Sequence, residues 1–330
     1  MKYDVSVLVP VYNVSKFIER CLHTLFSQTY DNIQYIFVND CTPDQSIEII
    51  QKVLNEYPQR KEHVKIINHD KNRGLAAARN TGIENAEGEY VLHIDSDDYI
   101  ELDMVQLMLK KAKEEDADIV VCDFNIKWKK TQKIASQHFT DKDQYLRDIL
   151  NTKAMPGVVN KLIRKSLYSE NEIFPFEGIN LGEDYVTTPK LIAKARRISK
   201  VNKPLYHYIQ YNEGSYTAVM NQKAIDDLWF VLNELYNYFK STKEFSLLKN
   251  DLLKGQLIKK LDVVGRVNNE KRREIFETFS EANTVASEAD LSFRQAITYK
   301  LCASNQYQLL NLFLSTFDKF FRLVQKLKGR

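Results

Sequence analysis

The sequence predicts an α/β fold, a mixed and mainly parallel sheet flanked by helices, followed by a helical C-terminal region. Three observations carry this reading. Val5–Pro10 (VSVLVP), Gln34–Asn39 (QYIFVN) and Tyr90–Ile94 (YVLHI) are continuous apolar runs, the pattern of strands buried on both faces. Segments of helical period alternate with them. After about Ala218 the strand signals stop, and residues 221–330 carry long helical periodicities with almost no Gly or Pro.

The elements follow in order. Val5–Pro10 is the first strand and ends at a proline. Ser15 is placed to cap a helix whose Phe17, Ile18, Cys21, Leu22, Leu25 and Phe26 share one face. Gln34–Asn39 is the second strand. Thr42-Pro43-Asp44-Gln45 then reads as a helix start, with Thr as N-cap, Pro at the first helical position and Gln three residues after the cap. Val64–Asn68 is a third strand, and Gly74–Asn85 (GLAAARNTGIEN) a small-residue helix whose backbone can approach a neighbour closely. Tyr90–Ile94 precedes a helix over Glu101–Glu115 and a fifth strand over Asp118–Phe124. Residues 125–141 are polar and irregular and read as a surface excursion. Glu183–Ala195 is a further helix and Val201–Tyr208 an extended stretch. The boundary is expected between residues 1–217 and 218–330.

Composition excludes several classes. Of 330 residues, 44% are hydrophobic, which supports a packed core. The formal net charge of +3 gives no electrostatic footprint for nucleic acid. Cys21, Cys41, Cys122 and Cys302 are far apart and form no CxxC, which argues against a structural zinc site. No GxGxxG follows the first strand and no GxxxxGK[ST] occurs, so the phosphate-binding backbones of dehydrogenases and P-loop enzymes are missing. No signal-peptide pattern and no run of 18 apolar residues is present, and a cytoplasmic location is expected.

In parallel α/β sheets, ligands bind beyond the carboxyl ends of the strands. Asp40 and the run Asp95-Ser96-Asp97-Asp98 are predicted there. Three carboxylates within four residues repel unless a positive charge sits among them. A hard divalent cation shared with diphosphate oxygens resolves this, as does an acidic loop capping the next helix. Asp40 suits either the N3–H of a uracil ring or a turn. Lys71–Asn80 places basic groups at a helix start, suited to phosphate or to solvent. Glu183-Asp184 suits either a general base or the first turn of a helix.

The ordered set Pro10-Val11-Tyr12-Asn13, Val38-Asn39-Asp40, Asn72–Asn80, Gly88-Glu89-Tyr90, Asp95-Ser96-Asp97-Asp98 and Glu183-Asp184 resembles glycosyltransferase family 2, and within it the members that build bacterial surface polysaccharides. The resemblance is dense over 4–110, thinner over 155–217 and absent after 220. It implies a GT-A fold over residues 1–217 and an inverting single displacement from a nucleotide-sugar, UDP-linked by preference, to a glycan or lipid-linked glycan. It implies Mn2+ or Mg2+ on Asp97. Pro10, Tyr12, Asn13 and Asp40 would hold the nucleotide, Asp95 the ribose or donor sugar, and Arg79 the diphosphate or sugar. Asp184 would be the general base, with Glu183 its neighbour near the acceptor. Asn160-Lys161-Leu162 resembles a recurring segment that puts Lys161 on the acceptor side. His207 is set there with it, as a supplement to the metal site or as a packed histidine.

The chain departs from the family pattern in three places. Asn39-Asp40-Cys41-Thr42 stands where members often read Asp-Asp-Gly-Ser. Cys41 in place of Gly predicts a slightly altered turn. Ile209 and Gln210 follow Tyr206-His207-Tyr208 where many relatives place an Arg.

Residues 308–330 combine Leu309, Leu312, Phe313, Phe317, Phe320, Phe321 and Leu327 with Lys319, Arg322, Lys326, Lys328 and Arg330 against Asp318. Such a basic amphipathic helix suits the inner face of a membrane, or packs on a helical neighbour. Two other functions compete. A sugar-phosphate nucleotidylyltransferase needs a Gly- and Arg-rich loop after the first strand, where Val11-Tyr12-Asn13-Val14 stands. A non-catalytic nucleotide-sugar-binding module needs neither Asp97 nor Asp184.

Overall fold

The computed structural model describes residues 2–212 and 220–327, with side chains as far as Phe321. The elements are β1 (Tyr3–Val11), α1 (Ile18–Phe26), β2 (Ile33–Asn39), α2 (Ser46–Leu54), β3 (Val64–Asn68), α3 (Leu75–Asn85), β4 (Gly88–His93), β5 (Tyr99–Ile100), α4 (Met104–Glu114), β6 (Ile119–Lys127), β7 (Gln132–Ala135) and α5 (Lys142–Leu150). They continue with β8 (Lys161–Arg164), α6 (Ser166–Ser169), α7 (Glu183–Lys194), β9 (Ile198–Ile209), α8 (Gln222–Lys240), α9 (Phe245–Val264), α10 (Asn269–Glu277), α11 (Phe293–Ala303) and α12 (Tyr307–Leu327).

One sheet runs in the order β3-β2-β1-β4-β8-β6-β9-β5, with β7 paired to β6. The half β3-β2-β1-β4 is parallel throughout. Its central strand β1 has Val5, Val7, Leu8, Val9 and Val11 buried, as β-branched strands covered by helices on both faces must be. Chain order reverses at β1, so β1 and β4 border the crevice where such sheets take ligands. Two contacts close this half tightly. On α3, Gly82 lies against Leu8, whose side chain would be 3.3 Å from an added Cβ. At the start of β4, Gly88 abuts β1 and donates its N–H to buried Ser6 Oγ at 2.9 Å, and Ser6 in turn donates to Gln34 Oε1.

The other half is mixed. β6 runs in the direction of β4 but is separated from it by antiparallel β8, and β9 pairs parallel to β6. The mixed, mainly parallel sheet expected from the sequence is borne out, and its antiparallel part comes from a four-residue strand with no flanking signal that enters between β4 and β6. Residues 125–141 are not wholly irregular: β7 folds back antiparallel on Phe124–Lys127.

Two helix starts also differ from expectation. α1 begins at Ile18 with no side-chain cap, and α2 begins at Ser46 rather than after Thr42. The cause is Asp44. Its carboxylate accepts from Ser15 N–H, Thr42 Oγ and both N–H and Oγ of Ser46, so both supposed caps donate to it instead. Burial would raise its pKa, but these hydrogen bonds outweigh that and hold it well below the usual carboxylate range.

The chain divides into two compact units, Met1–Lys142 with Pro156–Glu213 and Asp143–Met155 with Gly214–Arg330. The expected boundary at 217/218 lies outside the described residues, and the segment 143–155 belongs with the second unit. That unit is helical. α8 buries Ile225, Leu228, Leu232, Leu235 and Phe239 at helical spacing, and α9 buries Leu252, Leu253, Leu257, Leu261 and Val264. Among the described residues no helix is long and apolar enough to cross a membrane.

A Cβ at Gly88 would lie 2.6 Å from Ser6 N and 2.8 Å from Val5 C, both backbone atoms of the central strand. Gly88→Ala is therefore expected to destabilise the protein by about 1–3 kcal/mol through overpacking, read as a lowered midpoint in urea unfolding.

Candidate functional site

The loops leaving β1, β2 and β4 meet at the crevice. After β1, Pro10 is half-buried, Tyr12 is 41% exposed, and Asn13 takes a left-handed backbone with φ 55°. Asn13 donates its N–H to Thr42 Oγ at 2.8 Å, which fastens the β1 loop to the β2 loop. Cys41 is exposed and also left-handed, with φ 56°. The turn keeps a conformation that glycine takes freely and pays a modest strain for the side chain.

Asp40 is 3% exposed and already engaged. Its Oδ1 accepts from Arg73 N–H at 2.8 Å and meets His69 Nδ1 at 2.7 Å, and its Oδ2 accepts from Gly74 N–H at 2.8 Å. It ties β2 to the start of α3. The turn role among the two alternatives is present in the structure, and one lone pair on Oδ2 is left for a further donor.

The three carboxylates after β4 have three different surroundings. Asp98 is buried and structural, accepting from Tyr206 Oη at 2.6 Å and Ile209 N–H at 2.7 Å. Burial, then Asp97 and Asp95, push its pKa well up. Tyr206 Oη also accepts from Asp95 N–H at 3.2 Å, so one phenol pins the turn to β9. Asp95 Oδ1 accepts from Arg79 Nη2 at 3.1 Å. Asp97 accepts from Asn212 Nδ2 at 2.8 Å, and among the described residues no cationic side chain pairs with its carboxylate. Burial and then Asp95 raise its pKa, while Asn212 and Arg20 lower it.

Arg79, set near the diphosphate or donor sugar by the resemblance, is 2% exposed, with its guanidinium engaged by carboxylates. Nη1 donates to Glu183 Oε1 at 2.8 Å and to Asp184 Oδ1 at 2.5 Å, while Nη2 holds Asp95. The spacing of α3 and the left-handed Gly182 that starts α7 bring these groups together. Burial, then mutual repulsion, raises the pKa of Glu183; burial also raises that of Asp184, against the pull of Arg79.

Lys161 is fully buried, donating to Gly157 O at 2.5 Å and Asn160 Oδ1 at 2.8 Å. Burial lowers its pKa to about 7, against the attraction of Asp184. Its charge and that of Asp184 attract each other. His207 is packed: its ring stacks on Tyr99 at 4.3 Å and its Nε2 meets Glu101 Oε1 at 2.7 Å. A metal-site role for it is not supported by this arrangement.

Sequence reasoning missed Tyr206, Asn212 and Arg20, whose guanidinium reaches Asp97 O and Tyr211 Oη. Tyr206 sits in a strand where Leu205, Tyr206 and His207 are all buried, so no alternation marks it.

Among the described residues no group of three or more His, Cys, Asp or Glu could hold a metal by itself. An uncompensated Asp97 beside Asp95 still fits a cation completed by phosphate oxygens, the way Mg2+ binds through one or two carboxylates plus substrate.

Comparison with known proteins adds the following. The family described as glycosyl transferase family 2 matches residues 6–171. The protein EpsH of Bacillus subtilis (strain 168) is 38% identical over 212 residues, 62% of this chain and 60% of EpsH, so the chain spans about three fifths of that curated relative. Residues 1–349 of Staphylococcus aureus TarS, solved with UDP-GlcNAc, superpose with a TM-score of 0.63 at 20% identity, covering 92% of each chain. TarS of S. aureus is named a poly(ribitol-phosphate) β-N-acetylglucosaminyltransferase. A mannosyltransferase of Pyrobaculum calidifontis, solved with GDP-Man and Mn2+, superposes with a TM-score of 0.57 at 16% identity, covering 100% of this chain and 87% of its own. These structural likenesses establish the fold, a GT-A arrangement with a helical C-terminal region.

Tyr206→Phe removes the donor to Asp98 and the acceptor for Asp95 N–H. The expected cost is about 1–3 kcal/mol of stability, measured by calorimetry, since a buried carboxyl group and a backbone amide each lose a hydrogen-bond partner.

Proposed function

The chain belongs to glycosyltransferase family 2, and we propose that this enzyme inverts the anomeric centre as it moves a sugar from a nucleotide-sugar, UDP-linked, to a glycan or lipid-linked glycan of the cell surface. The carrying observation is that the acidic turn after β4 and the acid pair at the start of α7 share one buried guanidinium. Donor-side and acceptor-side carboxylates thus lie within one side chain's reach. The UDP preference and the polymer acceptor are drawn from likeness to TarS.

In this reading the unit Met1–Lys142 with Pro156–Glu213 is the catalytic domain, and the second unit is the helical region. Pro10, Tyr12 and Asn13 line the nucleotide cleft, Asp40 orders its floor, and Asp95 meets the ribose or donor sugar. Asp97 would hold Mn2+ or Mg2+, which when bound offsets the charge that develops on the departing diphosphate. An acceptor hydroxyl is a weak nucleophile near neutral pH. Asp184 takes its proton, and the raised pKa from burial suits that task. Glu183, raised by burial and by Asp184, keeps its own proton longer and limits repulsion in the pair.

The last helix supports a contact with the inner membrane face. Leu312 on α12 is 66% exposed and Phe320 is 65% exposed, beside exposed Lys319. Phe293, Phe313 and Phe317 form an adjoining ring cluster. The basic side chains expected at Arg322, Lys326, Lys328 and Arg330 lie outside the described ones.

Two experiments test this reading. UDP with Mn2+ is expected to raise the melting temperature, by roughly 2.7 kcal/mol of stabilisation at a hundred times Kd, and a chelator to abolish the rise. Asp97→Asn should lose that metal-dependent shift. Asp184→Asn should keep it while turnover falls about a hundred- to ten-thousand-fold. Equal loss of the shift in both variants rejects the assigned roles, and a shift with GDP alone corrects the donor. For the membrane contact, Leu312→Ser/Phe320→Ser should reduce co-sedimentation with phosphatidylglycerol vesicles, and unchanged partitioning rejects it.

A further inference from the structure

A guanidinium offers five N–H donors in a fixed plane, and burial makes the choice of partners decisive. At Arg79, Nη1 serves Glu183 and Asp184, Nη2 serves Asp95, and Nε is buried with no partner. The charged groups facing the pair are few. Asp95 shares the Arg79 guanidinium, and Lys161 attracts Asp184. His93, which burial and then Arg79 hold at a pKa of about 3, carries no charge. Tyr168, pushed well up by burial, keeps its hydroxyl proton. One fork therefore sets the positions of three carboxylates drawn from two separate loops.

The two oxygens of Asp184 differ. Oδ1 is taken by Arg79 at 2.5 Å. Among the described residues Oδ2 receives a long contact from Val158 N–H at 3.4 Å. Residue 157 is glycine, and a Cβ there would stand 3.8 Å from Oδ2, so the absent side chain leaves that oxygen approachable.

We propose that Arg79 is a positioning residue that joins the donor and acceptor halves of the centre, holding Asp95 and Asp184 on one guanidinium and leaving Asp184 Oδ2 as the oxygen that accepts the proton. This rests on the assignment of Asp184 as base. The acceptor O–H proton passes to Oδ2, the freed electron pair forms the new bond to the anomeric carbon, and the bond from that carbon to the diphosphate oxygen breaks. Arg79 itself touches neither substrate.

Arg79→Lys keeps the charge and loses the fork, so it separates the two contributions. With UDP-GlcNAc as probe and water as acceptor, kcat for UDP release should fall about a hundredfold while KM changes less than about threefold. Arg79 favours the ionised form of Asp184 by its charge, so the neutral replacement Arg79→Gln raises that pKa and moves the acid limb of the kcat profile to higher pH. A second arm needs no donor. The carboxylates gain charge as pH rises, so the loss in melting temperature should be larger at pH 8 than at pH 5. Adding Glu183→Gln and Asp184→Asn to Arg79→Lys should recover most of that loss. A loss equal at both pH values, or an unmoved acid limb, overturns the proposal and leaves Arg79 a packing residue. Wild-type turnover in Asp184→Asn would instead reject the base assignment on which it rests.

Discussion

An arginine buried among three carboxylates is the contact on which the centre depends. Asp95 comes from the end of β4, Glu183 and Asp184 from the start of α7, and the guanidinium from the middle of α3. Without a cation these acids would repel one another in a poorly hydrated place. With it, they converge. The cost of burying the guanidinium is offset by charge-assisted bonds at both terminal nitrogens.

The rest of the first unit holds this arrangement in place. The parallel half of the sheet sets the ends of β1, β2 and β4 side by side, and the close contacts of Gly82 and Gly88 fix α3 and β4 against β1. Asp40 and Asp44, both turned inward, lace the intervening loops. Of the three acids after β4, Asp98 serves architecture, Asp95 serves the arginine, and Asp97 accepts from Asn212 with no cationic side chain on its carboxylate among the described residues. One short sequence thus supplies an anchor, a bridge and a carboxylate free of any protein cation among the described residues.

Much of this was legible in the chain. β1, β2, β4 and the buried part of β6 are long apolar runs, and their alternation with helical periods located the acids at strand ends. The failures share a cause: a short segment whose neighbours, not its own pattern, decide its structure. Ser15 and Thr42 have capping chemistry but donate to Asp44. Lys161–Arg164 is too brief to show a period, yet it enters between β4 and β6. Arg79 lies in a helix rich in alanine, and nothing local says whether it meets phosphate or carboxylate. Position 184 was found by its resemblance to a family motif, whereas the distinction between its two oxygens exists only in three dimensions.

The pairing of β9 with β6 has a consequence in time. Ile119–Lys127 waits some eighty residues for Ile198–Ile209, a long loop closure that contacts of this separation complete late. Until β9 arrives, Asp98 has neither Tyr206 nor the Ile209 amide, and Asp97 has no Asn212. A growing chain emerging from the ribosome therefore carries the acidic turn as an unsettled loop until residue 212 has been made. A product ending before this strand lacks Tyr206, the Ile209 amide and Asn212, and with them the groups that hold Asp97 and Asp98 in place.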